Sequence, residues 1–301
     1  GSLAELDAAL NTLARQAVAR QGPPPVPFAF LVMGSEGRRE QTLCTDQDNA
    51  LLFADPPPER RESVEEYFRQ FGEWVCDGLA LAGYAPCEGQ VMARNPERRL
   101  SLSGWQECFT QWIRTQEGMD LLQTKIFFDF RCGFGEESLL EPLRETLRRE
   151  LAANPSFFPF LTLDVLEVRP PLALFGGIAE ETKEDQRKGF DIKMAMMPIV
   201  DFARVYALKH AIPATNTLER LTGLRAAGVL TAPDHGEISQ VYTEMMRVRI
   251  ACQLDALAEG RRPDNLVELR RLTHLQRRTL RECFEQVRVY QGRLAREFAG
   301  G

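Results

Sequence analysis

Two aspartates stand two residues apart at the start of an apolar segment. Asp46 and Asp48 lead into residues 49–53, which read as a strand. Because side chains alternate between the faces of a strand, we expect both carboxylates on one face. Carboxylates held side by side repel each other unless cations lie between them. Magnesium prefers oxygen ligands and often shares them with phosphates, and two such ions can activate an attacking oxygen. The pair therefore predicts a site for Mg²⁺, with two ions expected, at Asp46 and Asp48.

A glycine and a serine follow another apolar segment, upstream of the aspartates. Residues 28–33 form an uninterrupted apolar run between Pro27 and Gly34, which is typical of a buried strand. We predict a short polar helix over residues 36–43. Glycine lets a phosphate approach the backbone, and the N–H groups at a helix N-terminus bind anions. Gly34 and the hydroxyl of Ser35 are therefore candidate phosphate-binding groups.

Both signals also have purely structural interpretations. An isolated Asp-x-Asp is common on solvated turns, and an isolated Gly-Ser is usually a turn. The two patterns predict a functional site only because they occur together, next to two apolar strands.

The elements that would position these residues belong to a small domain of strands and helices. The pattern predicts a helix over 59–82, ended by Gly83, and a third strand around Gln90-Val91-Met92. Further helices are predicted over 101–114, 118–131 and 137–152. From Asn154 onward the pattern is almost wholly helical. The fold class we expect is α+β, a small mixed β-sheet domain followed by an all-helical bundle. The expected boundaries are 1–25 for an N-terminal linker helix, 26–153 for the sheet domain and 154–301 for the helical domain.

Composition excludes several other classes of protein. The 301 residues are 44% hydrophobic and 27% charged, which is normal for a globular protein. The net charge of −6 argues against binding along duplex nucleic acid. No apolar run approaches the length of a membrane span, and seven scattered cysteines are typical of a cytoplasmic protein. The leading Gly1-Ser2 suggests a remnant of cloning, so we expect a piece of a longer protein.

The two motifs together resemble the nucleotidyltransferase superfamily. They are most similar to the branch called DUF294, which is related to the N-terminal region of protein-PII uridylyltransferase. The matching positions in the first block are Gly34, Ser35, Gly37, Arg38, Glu40, Thr45, Asp46, Gln47, Asp48, Asn49, Ala50 and Leu51. Further similar blocks lie at 89–96, 126–131, 198–204 and 212–220. The resemblance covers residues 5–298.

The resemblance implies transfer of a nucleoside monophosphate from an NTP to an acceptor, with release of pyrophosphate. It places the metals at Asp46 and Asp48 and the triphosphate at Gly34 and Ser35. It also implies upstream regulatory domains in the natural protein and makes a signalling protein a plausible acceptor. The second, helical domain is then expected to bind substrate.

Several neighbouring residues complete the expected nucleotide site. Arg38 stands one helical turn after Ser35, within reach of a phosphate. Glu40 is expected to orient Arg38 or a neighbouring amide, and Thr45 to cap the start of the strand. Lys193 is a candidate nucleotide contact on the predicted helix 190–210, where Asp191, Asp201 and Arg204 favour a structural salt-bridge network instead.

The resemblance does not identify the residue that supplies a third carboxylate. Many members of the superfamily have one on a later strand, as a metal ligand or general base. The predicted third strand carries no acid, so the candidates are Asp129, in a helical-looking segment, and Glu88. We favour Asp129 as the third catalytic residue, although a cap or salt-bridge role explains it equally well.

Two other functions remain open from the sequence. One is a catalytically weak module that binds an NTP and signals its presence to attached domains. The other is a small-molecule nucleotidyltransferase, for which an acidic acceptor pocket would be expected.

Overall fold

A mixed four-stranded sheet carries the N-terminal half of the chain. The computed structural model describes residues 3–116, 125–173, 177–183 and 186–298, and the chain divides into two units, 1–157 and 158–301. The strands of the first unit are β1 (Phe28–Val32), β2 (Asp46–Gln47), β3 (Asn49–Phe53), β4 (Ala85–Pro86), β5 (Arg99–Ser101) and β6 (Arg131–Gly135). The large sheet has the order β5-β3-β1-β6, and β2 pairs separately with β4.

The two predicted apolar strands form the centre of this sheet. Every residue of β1 and of β3 is buried. β1 is antiparallel to both of its neighbours, whereas β3 and β5 are parallel, so the sheet is mixed. Continuous apolar runs suit such strands because both of their faces are covered. The predicted α+β fold class is confirmed.

Five helices surround the sheet in the described part of the first unit. They are α1 (Leu3–Gln21), α2 (Gly34–Gly37), α3 (Arg61–Leu81), α4 (Leu102–Thr115) and α5 (Leu140–Ala153). α1 packs against α3 and β6, and α4 packs against α5 and β3. Aromatic side chains join α3 to the sheet, since the ring of Phe68 stacks on Phe53 with centroids 4.8 Å apart.

The prediction was wrong for the strand around Gln90-Val91-Met92 and for the described end of the helix 118–131. Residues 89–93 contain no strand, and the strand that pairs with β1 is β6. Residues 117–124 of the predicted helix 118–131 lie outside the described residues. Its described end is a 3-10 turn at Lys125–Phe128, followed by β6. Two glycines obscure this strand in the sequence, and the backbone requires one of them. Gly135 has φ +97°, and a Cβ on it would lie 2.3 Å from the Phe28 carbonyl oxygen.

The second unit is helical, with a small sheet that the prediction of an all-helical bundle did not include. Its helices are α6 (Phe157–Glu167), α7 (Ile192–Lys209), α8 (Thr217–Ala226), α9 (Ala232–Ala258) and α10 (His274–Phe298). α7 is the central helix, contacting α8, α9 and α10. The short strands β7 (Glu181–Thr182), β8 (Lys188–Asp191) and β9 (Leu266–Val267) pair in that order. Among the helices of the described residues, none is both long and apolar enough for a membrane span.

Candidate functional site

The side chain of Asp48 lies directly against the glycine-serine turn. A Cβ atom placed on Gly34 would lie 2.8 Å from Oδ2 of Asp48. The backbone holds the two segments together, because the Met33 N–H donates to the Asp48 carbonyl oxygen over 2.8 Å. Gly34 also has φ +56°, a left-handed conformation that favours glycine. Glycine at this position is therefore required both by the backbone and by the carboxylate that it contacts.

The two aspartates share a cluster with a cysteine. One carboxylate oxygen from each of Asp46 and Asp48 and the Sγ atom of Cys87 all lie within 4.8 Å of one another. Asp46 is half-buried, whereas Asp48 and Cys87 are buried. The pair thus faces one place, and three ligand atoms are near enough together for a cation to bridge them.

The sequence does not predict Cys87 beside the aspartates, because its position depends on the pairing of two distant segments. β2 and β4 run parallel with Asp46 opposite Ala85 and Gln47 opposite Pro86. One further step along both segments brings Cys87 beside Asp48. Burial, together with the neighbouring Asp48 carboxylate, raises the pKa of the Cys87 thiol to about 12.

The buried side-chain amides of Gln47, between the aspartates, and Asn49, after them, anchor this segment. The Gln47 side chain donates to the carbonyl oxygens of Cys76 (3.1 Å) and Tyr84 (2.9 Å). The Asn49 side-chain oxygen accepts from the Ala93 N–H at 2.8 Å. Because side chains alternate along a strand, amides directed to one side leave both carboxylates on the other.

The turn that begins at Gly34 is shorter than the predicted helix 36–43. α2 has four residues, and its N–H···O bonds run from Gly37 to Met33 and from Arg38 to Gly34, each at 3.0 Å. Ser35 is half-buried in the turn. The first N–H groups of a helical turn have no partner within it, so they are available to an anion.

Glu36, also in α2, is a buried acid that the sequence analysis did not single out. It is 4% exposed, and its Oε1 atom has no hydrogen-bond partner among the described residues. Burial raises the pKa of this carboxyl to about 8, with Arg131 opposing the shift and Asp7 and Asp48 adding to it. The neighbouring Arg131 side chain donates to the Glu36 carbonyl oxygen at 3.2 Å and pairs with Asp7 at 2.7 Å.

Arg38, Glu40 and Asp129 form a buried ionic cluster behind the turn. Arg38 donates from Nε to Glu40 (2.7 Å) and from Nη1 to Asp129 (2.6 Å). Burial works against the charged guanidinium, yet Asp129 and Glu40 together raise the pKa of Arg38 above its ordinary value. Asp129 has no exposed surface.

Asp129 is not helical, although the predicted helix 118–131 includes it, and it lies outside the cluster of Asp46, Asp48 and Cys87. It stands between the 3-10 turn and β6, and its carboxylate contacts Arg38. Its carbonyl oxygen packs on the turn, since a Cβ on Gly37 would lie 1.7 Å from it. Within the described residues, the cluster of Asp46, Asp48 and Cys87 includes neither Asp129 nor Glu88.

The remaining two predicted site residues lie in different units. Thr45 is half-buried immediately before β2, and its hydroxyl donates to the Asp46 carbonyl oxygen at 3.4 Å. It also lines a polar pocket of about 250 Å³ together with Gln41, Thr42 and Tyr84. Lys193 lies on α7 in the second unit, half-buried, and its contact with nucleotide stays a prediction.

Comparison with protein families identifies both halves of the chain. A family model described as "Putative nucleotidyltransferase DUF294" matches residues 3–119. A second, described as "Putative nucleotidyltransferase substrate binding domain", matches residues 155–298. No curated protein matches the chain. The two matches follow each other in the order that the resemblance implied.

Proposed function

We propose, from the premise that this chain belongs to the DUF294 family of nucleotidyltransferases, that it transfers a nucleoside monophosphate from an NTP to an acceptor and releases pyrophosphate. The observation that carries this proposal is the contact of the Asp48 carboxylate with Gly34, with Asp46 facing the same place. In this arrangement, a divalent cation bound by the two carboxylates would lie beside the turn at Gly34, where a phosphate can approach the backbone.

The donor set fits magnesium. Mg²⁺ takes oxygen ligands and is usually held by one or two carboxylates together with substrate phosphates. Asp46 and Asp48 supply the carboxylates, and the family relationship supports two ions. Bound there, Mg²⁺ would supply charge neutralisation for the triphosphate and activation of the attacking oxygen.

The chain's own residues orient the triphosphate in this proposal. Gly34 has no side chain to block a phosphate, and the first N–H groups of α2 and the Ser35 hydroxyl donate hydrogen bonds to it. Asp46, the more exposed of the two acids, faces the substrate, whereas Asp48 is fixed against the turn.

Arg38 and Asp129 act in this proposal as positioning residues. Their buried pair, completed by Glu40, holds α2 against the segment that leads into β6. Asp129 thus influences the site through Arg38 and the turn, and the third group beside the aspartates is Cys87.

The proposed acceptor class is supported by the family resemblance alone. Similarity to protein-PII uridylyltransferase supports a signalling protein as acceptor. One observation favours a second candidate function, an NTP-binding sensor with weak catalysis. Among the described residues, the third group clustered with the aspartates is a thiol and not a carboxylate that could serve as base.

Pyrophosphate release from each NTP with Mg²⁺ tests the proposed enzyme. The double variant Asp46→Asn, Asp48→Asn is expected to lower turnover at least about 100-fold, because metal stabilisation is worth several kcal/mol. Asp77→Asn, an exposed aspartate on α3, is the matched control and should leave turnover unchanged. Calorimetric binding of NTP without pyrophosphate release in any acceptor mixture supports the sensor, and full turnover by the double variant rules out the assigned site.

A further inference from the structure

We propose that Cys87 is a third metal ligand at the Asp46–Asp48 pair, so that the site also takes a thiophilic divalent cation of the Zn²⁺ class, in competition with Mg²⁺. This inference rests on the proposed function only in that both place a cation between Asp46 and Asp48. It adds a regulatory property, because an ion held by all three groups would exclude magnesium from the site.

The thiol is near enough for this role. Its Sγ atom and one oxygen of each carboxylate lie within 4.8 Å of one another, a spacing that small side-chain rotations can close around one ion. Asp48 and Cys87 are both buried and belong to the same cluster of possible ligand atoms. A cation would replace the thiol proton between them, and that proton would pass to water as the metal–sulfur bond forms.

The backbone fixes Cys87 in this position. The parallel pairing of β2 with β4 ends at Gln47 and Pro86. The next residues along the two segments are Asp48 and Cys87. Beyond it, the Gln90 N–H donates to the Cys87 carbonyl oxygen at 3.1 Å. The Asn49 N–H then donates to Val91 at 3.0 Å, and the Asn49 side chain accepts from Ala93. Hydrogen bonds on both sides of the thiol therefore keep it at the carboxylates.

The chemistry of the donors selects the ion. Thiolate ligands favour zinc and related borderline ions, whereas magnesium takes oxygen ligands. With two carboxylates and one thiolate, the site offers the three protein ligands that open zinc sites use, and a fourth position remains for water or a phosphate. Mg²⁺ would use the carboxylates alone, so loss of the thiol should change the ratio of the two affinities.

Cobalt provides a spectroscopic test on the whole chain, because Co²⁺ replaces Zn²⁺ and a cobalt–thiolate bond has a charge-transfer absorption band. We expect this band on titration of the unmodified chain with Co²⁺. Cys87→Ser should abolish it and weaken Co²⁺ binding at least about tenfold, since even loss of an outer partner of a metal ligand costs 10- to 100-fold. Cys108→Ser, a half-buried cysteine on α4, is the matched control and should retain both band and affinity.

Extended X-ray absorption fine structure at the zinc edge of the Zn²⁺-loaded, unmodified chain tests the bond between zinc and the Cys87 sulfur. This measurement does not depend on the folding of a variant. The expected result is a sulfur neighbour at about 2.3 Å from zinc. Zinc surrounded by oxygen and nitrogen only, or a Cys87→Ser chain that keeps the cobalt band, overturns the inference.

The two proposals can fail separately. Pyrophosphate release that depends on Asp46 and Asp48, with no sulfur bound to zinc, overturns the thiolate site and leaves the proposed function standing. A cobalt–thiolate complex in a chain that turns over no NTP supports this inference and counts against the proposed enzyme.

Discussion

At the scale of single residues, Gly34 and Asp48 depend on each other. The glycine has a left-handed backbone, and the carboxylate occupies the space in which a side chain would stand. A methyl group there would have to displace Asp48 from its place in the proposed cation site. The identity of one small residue thus decides where a ligand atom lies.

The substitution Gly34→Ala tests this dependence. The left-handed conformation should cost about 1–2 kcal/mol of unfolding free energy, and displacement of Asp48 should weaken Mn²⁺ binding about 10- to 100-fold. Urea denaturation and Mn²⁺ titration by electron paramagnetic resonance measure the two effects.

Gly260→Ala is the matched control for this substitution. Gly260 has φ +70° and no atom within 4 Å of an added Cβ. It should therefore show a similar loss of stability with unchanged Mn²⁺ affinity. Unchanged Mn²⁺ affinity in Gly34→Ala as well would contradict the account of Asp48.

Glu36 should make stability depend on pH. Its folded-state pKa of about 8 lies above the ordinary value of 4.5. The folded chain therefore keeps this proton between the two values while the unfolded chain loses it, so stability falls as pH rises through this window. Glu36→Gln removes the ionisation. The unfolding free energy of this variant should therefore rise relative to that of the unmodified chain as pH rises, by on the order of 5 kcal/mol above pH about 8.

Urea denaturation at pH about 5, 7 and 9 measures this gain. Glu282→Gln, at an exposed carboxylate on α10, serves as control and should show no such trend. A constant difference between Glu36→Gln and the unmodified chain at all three pH values would contradict the raised pKa.

At the scale of elements, one buried ion pair joins α2 to the segment before β6. Arg38 follows α2 and Asp129 precedes β6, and their side chains meet with almost no exposed surface. Breaking a buried pair from one side leaves a charge without its partner, which is costlier than removing both charges. The pair therefore fixes the turn that bears Gly34 and Ser35.

A double-mutant cycle tests this connection. Asp129→Ala should lower the unfolding free energy by about 3–5 kcal/mol. The double variant with Arg38→Met should lose less than the sum of the two single losses, although Glu40 then also lacks its partner. Glu282→Ala, which breaks the exposed pair with Arg278, should cost at most about 1 kcal/mol. Additive effects of Asp129→Ala and Arg38→Met in thermal or urea denaturation would show that the two residues do not stabilise each other.

The same elements show what a sequence can and cannot predict. β1 and β3 were predictable because uninterrupted apolar runs close to proline or glycine are local signals, and the Asp46–Asp48 spacing is equally local, within one short segment. β6 was not predictable, because Gly135 is explained only by its close approach to the Phe28 carbonyl oxygen on the neighbouring strand β1. The positions of Cys87 and Asp129 likewise depend on pairings across the fold.

At the scale of the whole molecule, the residues of the proposed cation site belong to the first unit. Asp46, Asp48, Cys87 and Gly34 all lie in residues 1–157. The second unit has its own core around the central helix α7, in which Phe202 lies between the rings of Tyr206 and Tyr290, at 4.6 and 5.2 Å. Each unit therefore has the apolar interior that independent folding requires.

Separate expression of the two units tests this division. Residues 1–157 and residues 155–301 should each unfold cooperatively, and the first should bind Mn²⁺ as tightly as the whole chain. Circular dichroism during denaturation and Mn²⁺ titration give the readouts. Loss of Mn²⁺ binding by a folded 1–157 fragment would mean that the second unit supplies a ligand.

The most direct test of the central claim is a crystal structure of the whole chain with Mn²⁺ and a non-hydrolysable NTP, in which anomalous scattering locates the metal. The account predicts an anomalous peak in contact with the carboxylates of Asp46 and Asp48, and a triphosphate whose oxygens accept hydrogen bonds from the turn at Gly34 and Ser35. A triphosphate bound away from that turn, or a metal with no contact to either aspartate, would contradict it.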